Sequence, residues 1–183
     1  MITPKVNDNR VVIGPCRLSY TYVFEKFEPK DGGEPKYMTN VLIPTKEKET
    51  VDAVKKAIEA AKKAGIVSKW GGKEPKKLDD PLRDGNDKDD KNYVDHLYVN
   101  AKSKSRPGIV NRDHMPIVDE EEIYSGVWAI VSLTFYPYDA NGNRGIACGL
   151  NNIMKFKDDE KFGGTTSAEA DFADLDMEED EDL

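Results

Sequence analysis

The segment 126–156 constrains the fold of this chain more than any other part of the sequence. Residues 126–138 alternate between two sets of side chains, and the apolar set suited to a core is Val127, Ala129, Val131, Leu133 and Phe135. Because successive side chains of a strand point to opposite faces, this alternation predicts a β-strand with one buried face. Asn141-Gly142 follows, the dipeptide most typical of a two-residue hairpin turn. The sequence therefore predicts a hairpin whose second strand covers residues 144–156.

The predicted second strand has one apolar face and one face of small side chains. Its apolar positions are Ile146, Cys148, Leu150, Met154 and Phe156. Its other face carries Gly145, Ala147, Gly149 and Asn151. Small residues in a strand either let another backbone come close or mark a bend of a barrel. We favour the bend.

Two further strands and one helix precede this hairpin. Arg10–Phe24 is rich in strand-forming residues and is interrupted at Gly14-Pro15, which predicts a bend or bulge with strand on both sides. Lys36–Ile43 is the next strand. Thr45–Ala64 repeats apolar residues at helical spacing, with Thr45 as the predicted N-cap and Gly65 at the C′ position.

These elements predict a mainly β protein with an OB-fold, a five- to six-stranded Greek-key barrel with one α-helix after the third strand. The helix would close one end of the barrel between strands three and four. Residues 1–157 form the predicted domain. Residues 158–183 form an acidic C-terminal tail, which is predicted to be disordered because it is highly charged and poor in apolar residues.

Val94–Arg106 is the strand with the clearest functional pattern. Its odd positions supply a small apolar face, and its even positions are His96, Tyr98, Asn100, Lys102, Lys104 and Arg106. Rings that can stack on bases, followed by cations that can neutralise phosphates, are what a groove for single-stranded nucleic acid requires. An edge strand kept soluble by lysines would show the same pattern. Asn100 could bond a base edge or hold the end of the strand.

The charge of the chain is unevenly distributed. The whole chain carries −8 and residues 158–183 carry −11, from twelve acids and one lysine, so residues 1–157 carry +3. The acidity therefore does not exclude a nucleic-acid partner for the domain. The tail also contains Phe172, Leu175 and Leu183 among its acids, which suits a short motif that folds onto a partner. A tail that serves solubility alone remains the alternative.

The sequence offers little for metal or redox chemistry. The aspartates between Trp70 and Asn92 lie in a predicted long loop, and D-G-N-D-K-D-D lacks the order of ligands of a calcium loop. His96 and His114 are too far apart in sequence to form a local ligand pair. Cys16 and Cys148 fit no metal spacing and no secreted disulfide framework, so we expect buried, reduced thiols. No cofactor is predicted.

The sequence shows neither a membrane span nor a signal peptide, so we expect the protein in the cytoplasm. No apolar run approaches the roughly 20 residues that a membrane span needs, and the N-terminus, M-I-T-P-K-V-N-D, lacks the apolar core of a signal peptide. We expect no association with a membrane.

Short segments spread along the chain carry a resemblance to a known family. They are R-L-S-Y-T-Y-V-F-E at Arg17–Glu25, L-I-P at Leu42–Pro44, P-L-R-D-G-N at Pro81–Asn86, V-N-A-K-S-K-S-R-P-G-I-V at Val99–Val110, Ser125-Gly126 and G-I-A-C-G-L-N-N at Gly145–Asn152. In their order and spacing they resemble a family of bacteriophage and prophage proteins that bind single-stranded DNA through an OB fold. The acidic end is similar to that of the T7-type phage single-strand-binding proteins, which end in an aromatic residue, whereas this chain ends in Leu183.

The resemblance implies a non-enzymatic, sequence-independent single-stranded DNA-binding protein of phage DNA replication or recombination, located in the cytoplasm of the bacterial host. The predicted DNA-binding residues are Tyr98, Asn100, Lys102, Lys104, Arg106, Tyr20, Tyr22 and Tyr136. For Tyr20 and Tyr22, packing in the core or hairpin is the alternative. The acidic tail would cover the groove when DNA is absent and recruit replication proteins of phage or host, such as a polymerase or helicase. Whether the chain forms a homodimer is left open.

Two other classes of function compete with this one. A protein-interaction module without nucleic-acid affinity could have the same barrel and tail. A metal-dependent nuclease would draw on the acid-rich loop, but it needs carboxylates fixed close together on rigid strands. The acids here lie in a loop that contains glycine and asparagine.

Overall fold

The computed structural model describes residues 1–163 and, in the C-terminal segment, Phe172 and Leu175. Residues 1–163 contain eight strands and one α-helix. In chain order these are β1 (Lys5–Asn7), β2 (Arg10–Phe27), β3 (Lys36–Pro44), α1 (Lys48–Ser68), β4 (Arg83–Asp84), β5 (His96–Ser103), β6 (Gly108–Val110), β7 (Trp128–Ala140) and β8 (Asn143–Lys157). Single turns of 3₁₀ helix occur at Gly85–Lys88, Lys91–Tyr93 and Glu120–Glu122.

Five of the strands close into a barrel. The hydrogen-bonded order runs β5-β3-β2-β7-β8, and β8 returns to β5 through a short parallel pairing of Ala101 with Cys148 and Lys102 with Gly149. The other barrel contacts are antiparallel. This closed five-stranded arrangement confirms the predicted OB-fold. Strands β1, β4 and β6 are additions at its edges.

Strand β2 is long because it takes part in both sides of the barrel. Arg10–Arg17 pairs with β7, and Arg17–Phe27 pairs with β3. The register shifts between Ile13 and Cys16, where Gly14-Pro15 lies, as the sequence predicted. The sequence predicted the helix after the third strand. Because β1 is not a barrel strand and β2 is one continuous strand, helix α1 follows the second of the five barrel strands.

The core fills the barrel and extends under α1. Helix α1 packs on β7, β2 and β1 through its apolar face. The predicted core face of β7, from Val127 to Phe135, is fully buried. Both cysteines are buried free thiols, as expected, and burial raises the pKa of Cys16 to about 12. No helix among the described residues combines the length and apolar character that crossing a membrane requires.

The helix boundaries predicted from the sequence were wrong at both ends. Thr45 does not cap the helix, because its hydroxyl donates to the carbonyl oxygen of Asp95 and the helix begins at Lys48. Gly65 does not end the helix, which continues to Ser68. A Cβ atom at Gly65 would lie 2.6 Å from Pro137 and 2.7 Å from the ring of Trp70. The glycine is therefore needed for close packing against β7.

The β7–β8 hairpin confirms the predicted turn but not the whole predicted face of β8. Ala140 pairs with Asn143 across Asn141-Gly142. Between Ser132 and Leu133 the register shifts, since Ser132 pairs with Asn152 and Leu133 with Leu150. The extra residue, Asn151, reverses the alternation beyond it. Ile153 is consequently the buried residue, and Met154 and Phe156 do not share the core face of Ile146.

We expect Gly65→Ala to lower the free energy of unfolding by about 1–3 kcal/mol, because the added methyl group overlaps Pro137 and Trp70. At an exposed position inside a helix, replacing glycine with alanine would stabilise the protein. Val67→Ala on the same helix, where the side chain is 83% exposed, serves as the control. Denaturant unfolding of both variants measures the difference. A Gly65→Ala variant as stable as the parent would show that α1 and β7 are not closely packed here.

Candidate nucleic-acid interface

Strand β5 presents part of the predicted row of functional side chains. Val99 and Ala101 are buried, while Tyr98, Asn100 and Lys102 lie on the outer face, as predicted. The strand ends at Ser103, where the Ser105 amide donates to the Ser103 hydroxyl and the chain turns. The prediction of a continuous row to Arg106 was therefore wrong.

The side chains of Lys104 and Arg106 lie beyond the end of β5, and contacts with nearby residues determine their positions. The Lys104 ammonium lies 3.4 Å from a carboxylate oxygen of Glu34. The Arg106 guanidinium lies over the ring of Phe24, 5.5 Å from its centroid. Lys104 still borders the groove described next.

A groove runs over β5, β7 and β8 on the outside of the barrel. Two cavities of about 400 and 420 Å³ form it, and they share Lys36, Lys102 and Tyr136. We call this continuous depression the β5–β8 groove. Its polar lining comprises Lys36, Asp79, Arg83, Asn100, Lys102, Ser103, Lys104, Ser105, Thr134, Tyr136, Tyr138 and Asn151. The structure therefore brings together four predicted residues, Asn100, Lys102, Lys104 and Tyr136.

The groove is concave because β8 has small side chains there. Ala147 and Gly149 line it, and a Cβ atom on Gly149 would approach the Tyr136 ring to 3.6 Å. Gly145 has a different role, since the backbone of Asp79 pairs with this part of β8 through hydrogen bonds to Arg144 and Ile146. Gly145 is thus small because another backbone comes close to it. We had favoured a bend of the barrel, and at this position that prediction was wrong.

Two lysines of the groove have no acidic partner among the described residues, so their charge is available to a ligand. Arg83 faces Asp79 at 3.5 Å and Lys104 faces Glu34, but within residues 1–163 Lys36 and Lys102 form no ion pair. Tyr136, which lines both cavities with these lysines, is 43% exposed. Partial burial of the hydroxyl raises the pKa of Tyr136, so the ring is neutral at physiological pH. The groove therefore offers cations beside an accessible neutral ring.

Tyr20 and Tyr98 lie outside this groove. Both rings lie near the same lysine, Lys88 of the acid-rich loop. The Lys88 ammonium lies 5.2 Å from the ring centroids of Tyr20 and Tyr93 and 5.5 Å from that of Tyr98. Tyr93 is fully buried and packs edge-on against Tyr98 at 5.0 Å. We call these four residues the lysine cage. Tyr22 is separate and packs on Phe27, with ring centroids 4.9 Å apart.

The aspartates of the loop over the cage cap its turns. Asp80, Asp84 and Asp90 each accept a hydrogen bond from the backbone amide two residues further on. Such local bonds are the usual reason for aspartate in turns. Within the described part of the chain, no three His, Cys, Asp or Glu side chains come together as a metal site.

The first residues of the predicted tail, Asp158–Gly163, lie against the barrel, and we call them the strap. The Arg17 guanidinium lies over the Phe162 ring at 4.2 Å and donates to the Glu160 carbonyl oxygen at 2.6 Å. The Trp128 indole donates to Asp159 at 2.7 Å. The strap borders a cavity of about 710 Å³ that also contains Tyr20 and Lys91.

Phe172 and Leu175 are the members of the predicted partner motif that the structure describes. Their side chains are 62% and 59% exposed. Leu183 lies outside the described residues, as does the rest of 164–183. Asp158–Gly163 of the predicted disordered tail lie against the barrel, and for the residues after Gly163 the predicted disorder stays a prediction.

Sequence reasoning missed several residues of these surfaces, chiefly Lys36, Arg83, Lys88 and Asn151. Arg83 stands in Pro81–Asn86, one of the segments that carried the family resemblance, and that signal could have identified it. Lys36 begins a predicted strand and gave no pattern of its own. Lys88 was hidden by the four aspartates of its run.

Comparison with known proteins identifies the family. A family model described as the ssDNA-binding protein of Enterobacter phage Enc34 matches residues 9–183. The chain belongs to this family. The protein p50 of Acyrthosiphon pisum secondary endosymbiont phage 1 is 32% identical over 185 residues, which cover 95% of this chain and 98% of that protein. The resemblance found in the sequence is thus confirmed.

Solved structures of phage proteins share the fold. The single-stranded DNA-binding protein from bacteriophage Enc34 in complex with ssDNA has a TM-score of 0.75 and is 26% identical, covering 88% of this chain and 94% of that chain. Gp2.5, a single-stranded DNA binding protein encoded by bacteriophage T7, has a TM-score of 0.62 at 16% identity, covering 86% of this chain and 97% of that chain. At that identity the likeness to gp2.5 shows the fold alone.

We expect the strap to separate from Trp128 in acid. The indole hydrogen bond holds the pKa of Asp159 below its ordinary value, and Lys155 and Tyr124 do the same for the pKa of Asp158. A carboxylate with a lowered folded-state pKa stabilises the contact above its ordinary pKa of about 3.9, and the contribution is lost as pH falls through the lowered value. Tryptophan emission should therefore change with a midpoint below about pH 3.9. Asp159→Asn keeps an acceptor that does not titrate, so an identical transition in that variant would contradict the assignment.

Proposed function

We propose that this chain binds single-stranded DNA without sequence preference along the β5–β8 groove and catalyses no reaction. The observation that carries the proposal is its membership of a family whose Enc34 protein forms a complex with ssDNA, at 26% identity and a TM-score of 0.75. The geometry of the groove supports it independently. Lysines beside an exposed aromatic ring are the combination that single-strand binding uses.

The groove assigns separate tasks to its side chains. Lys36 and Lys102 contact phosphates, since neither has an acidic partner within residues 1–163. Tyr136 stacks on a base, a contact worth roughly 1–3 kcal/mol. Lys104 adds positive charge at the edge of the groove once Glu34 is displaced.

The lysine cage supplies a second aromatic surface along the same strand. Tyr20 is 46% exposed, and Tyr98 lies two residues from Asn100 on the outer face of β5. DNA that leaves the groove toward the cage would meet these rings with Lys88 above them. We assign Tyr98 and Tyr20 a supporting role in stacking, while the contacts of Tyr22 and Arg106 place them further away.

The biological role that fits is DNA replication or recombination of a phage in the cytoplasm of its bacterial host. Single strands are exposed in both processes and need a protein that covers any sequence. The acidic tail would recruit a phage or host polymerase or helicase, and the exposure of Phe172 and Leu175 supports a motif available for docking. Leu183 would belong to the same motif.

We expect single strands to bind more tightly than duplex of equal length. Stacking needs unpaired bases. A net charge of +3 over residues 1–157 gives only weak electrostatic attraction between the domain and duplex DNA. Fluorescence anisotropy of labelled oligonucleotides at several salt concentrations, with and without magnesium, measures affinity, salt slope and any cleavage. Equal affinity for duplex would refute the stacking account, absence of binding would favour a protein-interaction module, and cleavage would favour a nuclease.

Variants in the same assay separate charge from stacking. Lys102→Ala should lower both affinity and salt slope, the slope by about 0.7 for one phosphate on a single strand. Tyr136→Ala should weaken binding by roughly 1–3 kcal/mol with the slope unchanged. Lys55→Ala, an exposed lysine of α1, is the matched control and should change neither. Equal effects of Lys55→Ala and Lys102→Ala would place the DNA on another face.

We expect deletion of the tail from Ala168 onward to strengthen DNA binding. The tethered segment carries nine acids and competes for the basic groove at an effective concentration on the order of millimolar. Because the competition is electrostatic, the gain should be large at low salt and vanish near 1 M, where the Debye length is about 3 Å. Affinity unchanged by the deletion at about 0.01 M salt would mean that the tail serves solubility alone.

A further inference from the structure

We propose that Asn100 forms a hydrogen bond with the Watson–Crick edge of an unpaired base, and that it accepts all four bases. Asn100 thereby adds affinity for bases without selecting a sequence. The inference rests on the proposed function, because it needs single-stranded DNA in the β5–β8 groove.

One oxygen atom in the lining of the groove lacks a hydrogen-bond partner among the described residues. The Asn100 Oδ1 is buried and accepts no hydrogen bond from the described residues. Leaving a buried acceptor unpaired costs free energy, and most buried side-chain polar atoms in proteins have a partner. The position of Asn100 in the lining of the groove indicates where that partner would come from.

The neighbouring asparagines are already engaged. Asn40 is paired with Asn100 across β3 and β5, but its Nδ2 donates to the hydroxyl of Tyr93 at 2.6 Å. Asn151, on the other side of the groove, donates to Thr134 at 2.8 Å. Both contacts serve the fold. Among the described residues the Asn100 oxygen has no corresponding contact, which distinguishes it from the amides nearby.

The surroundings of Asn100 suit a base with its phosphate. Lys102 follows on the same face of β5, and Tyr136 and Ala147 line the groove with it. A base stacked against Tyr136, with its phosphate near Lys102, would direct its edge toward the floor where Asn100 lies. The small side chain of Ala147 leaves room for that edge.

The chemistry of an amide explains tolerance of sequence. An asparagine offers one acceptor oxygen and an NH₂ donor, and a half-turn of the side-chain amide exchanges their places. No hydrogen bond from the described residues fixes the oxygen in its present position. The Watson–Crick edge of each of the four bases places at least one donor next to an acceptor, so an amide can pair with any of them. A charged or single-function side chain would favour some bases over others.

The test uses the full chain and four oligonucleotides of equal length: dT, dC and dA homopolymers, and a strand with abasic sites. Asn100→Leu removes the hydrogen bonds at similar volume. It should lose about tenfold in affinity for all three homopolymers, little for the abasic strand, and nothing in salt slope. Asn152→Leu, an exposed residue of β8 outside the groove, is the control.

Asn100→Asp gives a second, independent measurement. A carboxylate accepts but does not donate, so it should retain pairing with the amino groups of cytosine and adenine better than with thymine, whose edge carries two carbonyl oxygens. The ratio of dC to dT affinity should therefore rise several-fold. The added negative charge cancels in that ratio, and circular dichroism checks that both variants are folded.

The outcomes separate this inference from the proposed function. Asn100→Leu binding the homopolymers like the parent, or losing as much on the abasic strand, would overturn the role in base contact while single-strand binding stands. An unchanged dC to dT ratio in Asn100→Asp would also overturn it. A parent chain that binds none of the oligonucleotides would overturn the proposed function and this inference with it.

Discussion

The parallel contact between β5 and β8 is the interaction on which the groove depends. It joins Ala101 to Cys148 and Lys102 to Gly149, and it closes the barrel. The other four sides of the barrel are antiparallel pairings, and this parallel contact joins the two ends of the five-stranded order. It places the outer face of β5, with Asn100 and Lys102, beside the small residues of β8. Without closure, the cations of one strand would not meet the aromatic ring of Tyr136.

Burial and charge then determine which aromatic rings are available to a ligand. Tyr93 is buried to hold the loop, and its hydroxyl accepts from Asn40. Tyr98 and Tyr20 are accessible, but Lys88 lies over both. Tyr136 has no cation over its ring within the described residues and lines the groove. An aromatic ring on the outside of the barrel is thus not sufficient for stacking, because the loop packed against it determines which of its faces is open.

The sequence predicted well what depends on local alternation and turn chemistry. The buried face of β7, the Asn141-Gly142 turn and the bulge at Gly14-Pro15 follow from side-chain periodicity and backbone preferences. The predictions failed where one residue or one distant contact changed the pattern. The bulge at Asn151 reversed the face of β8, and the turn at Ser103 removed Lys104 and Arg106 from the row. Gly65 resembled a helix end because its contacts with Pro137 and Trp70 are not local.

The candidate site was half predictable for a related reason. Asn100, Lys102 and Tyr136 were found because each lies in a strand whose alternation is intact up to that residue. Lys36 and Arg83 reach the groove through the pairings of β3 with β5 and of β4 with β5, which periodicity within a single strand does not reveal. The acid-rich loop is a different case, since the sequence argued against a metal site there but did not assign its aspartates a role, and Asp84 and Asp90 cap turns. Capping uses carboxylates one at a time, whereas a metal needs several converging on one point. In the folded chain Asp84 and Asp90 are used in the first way.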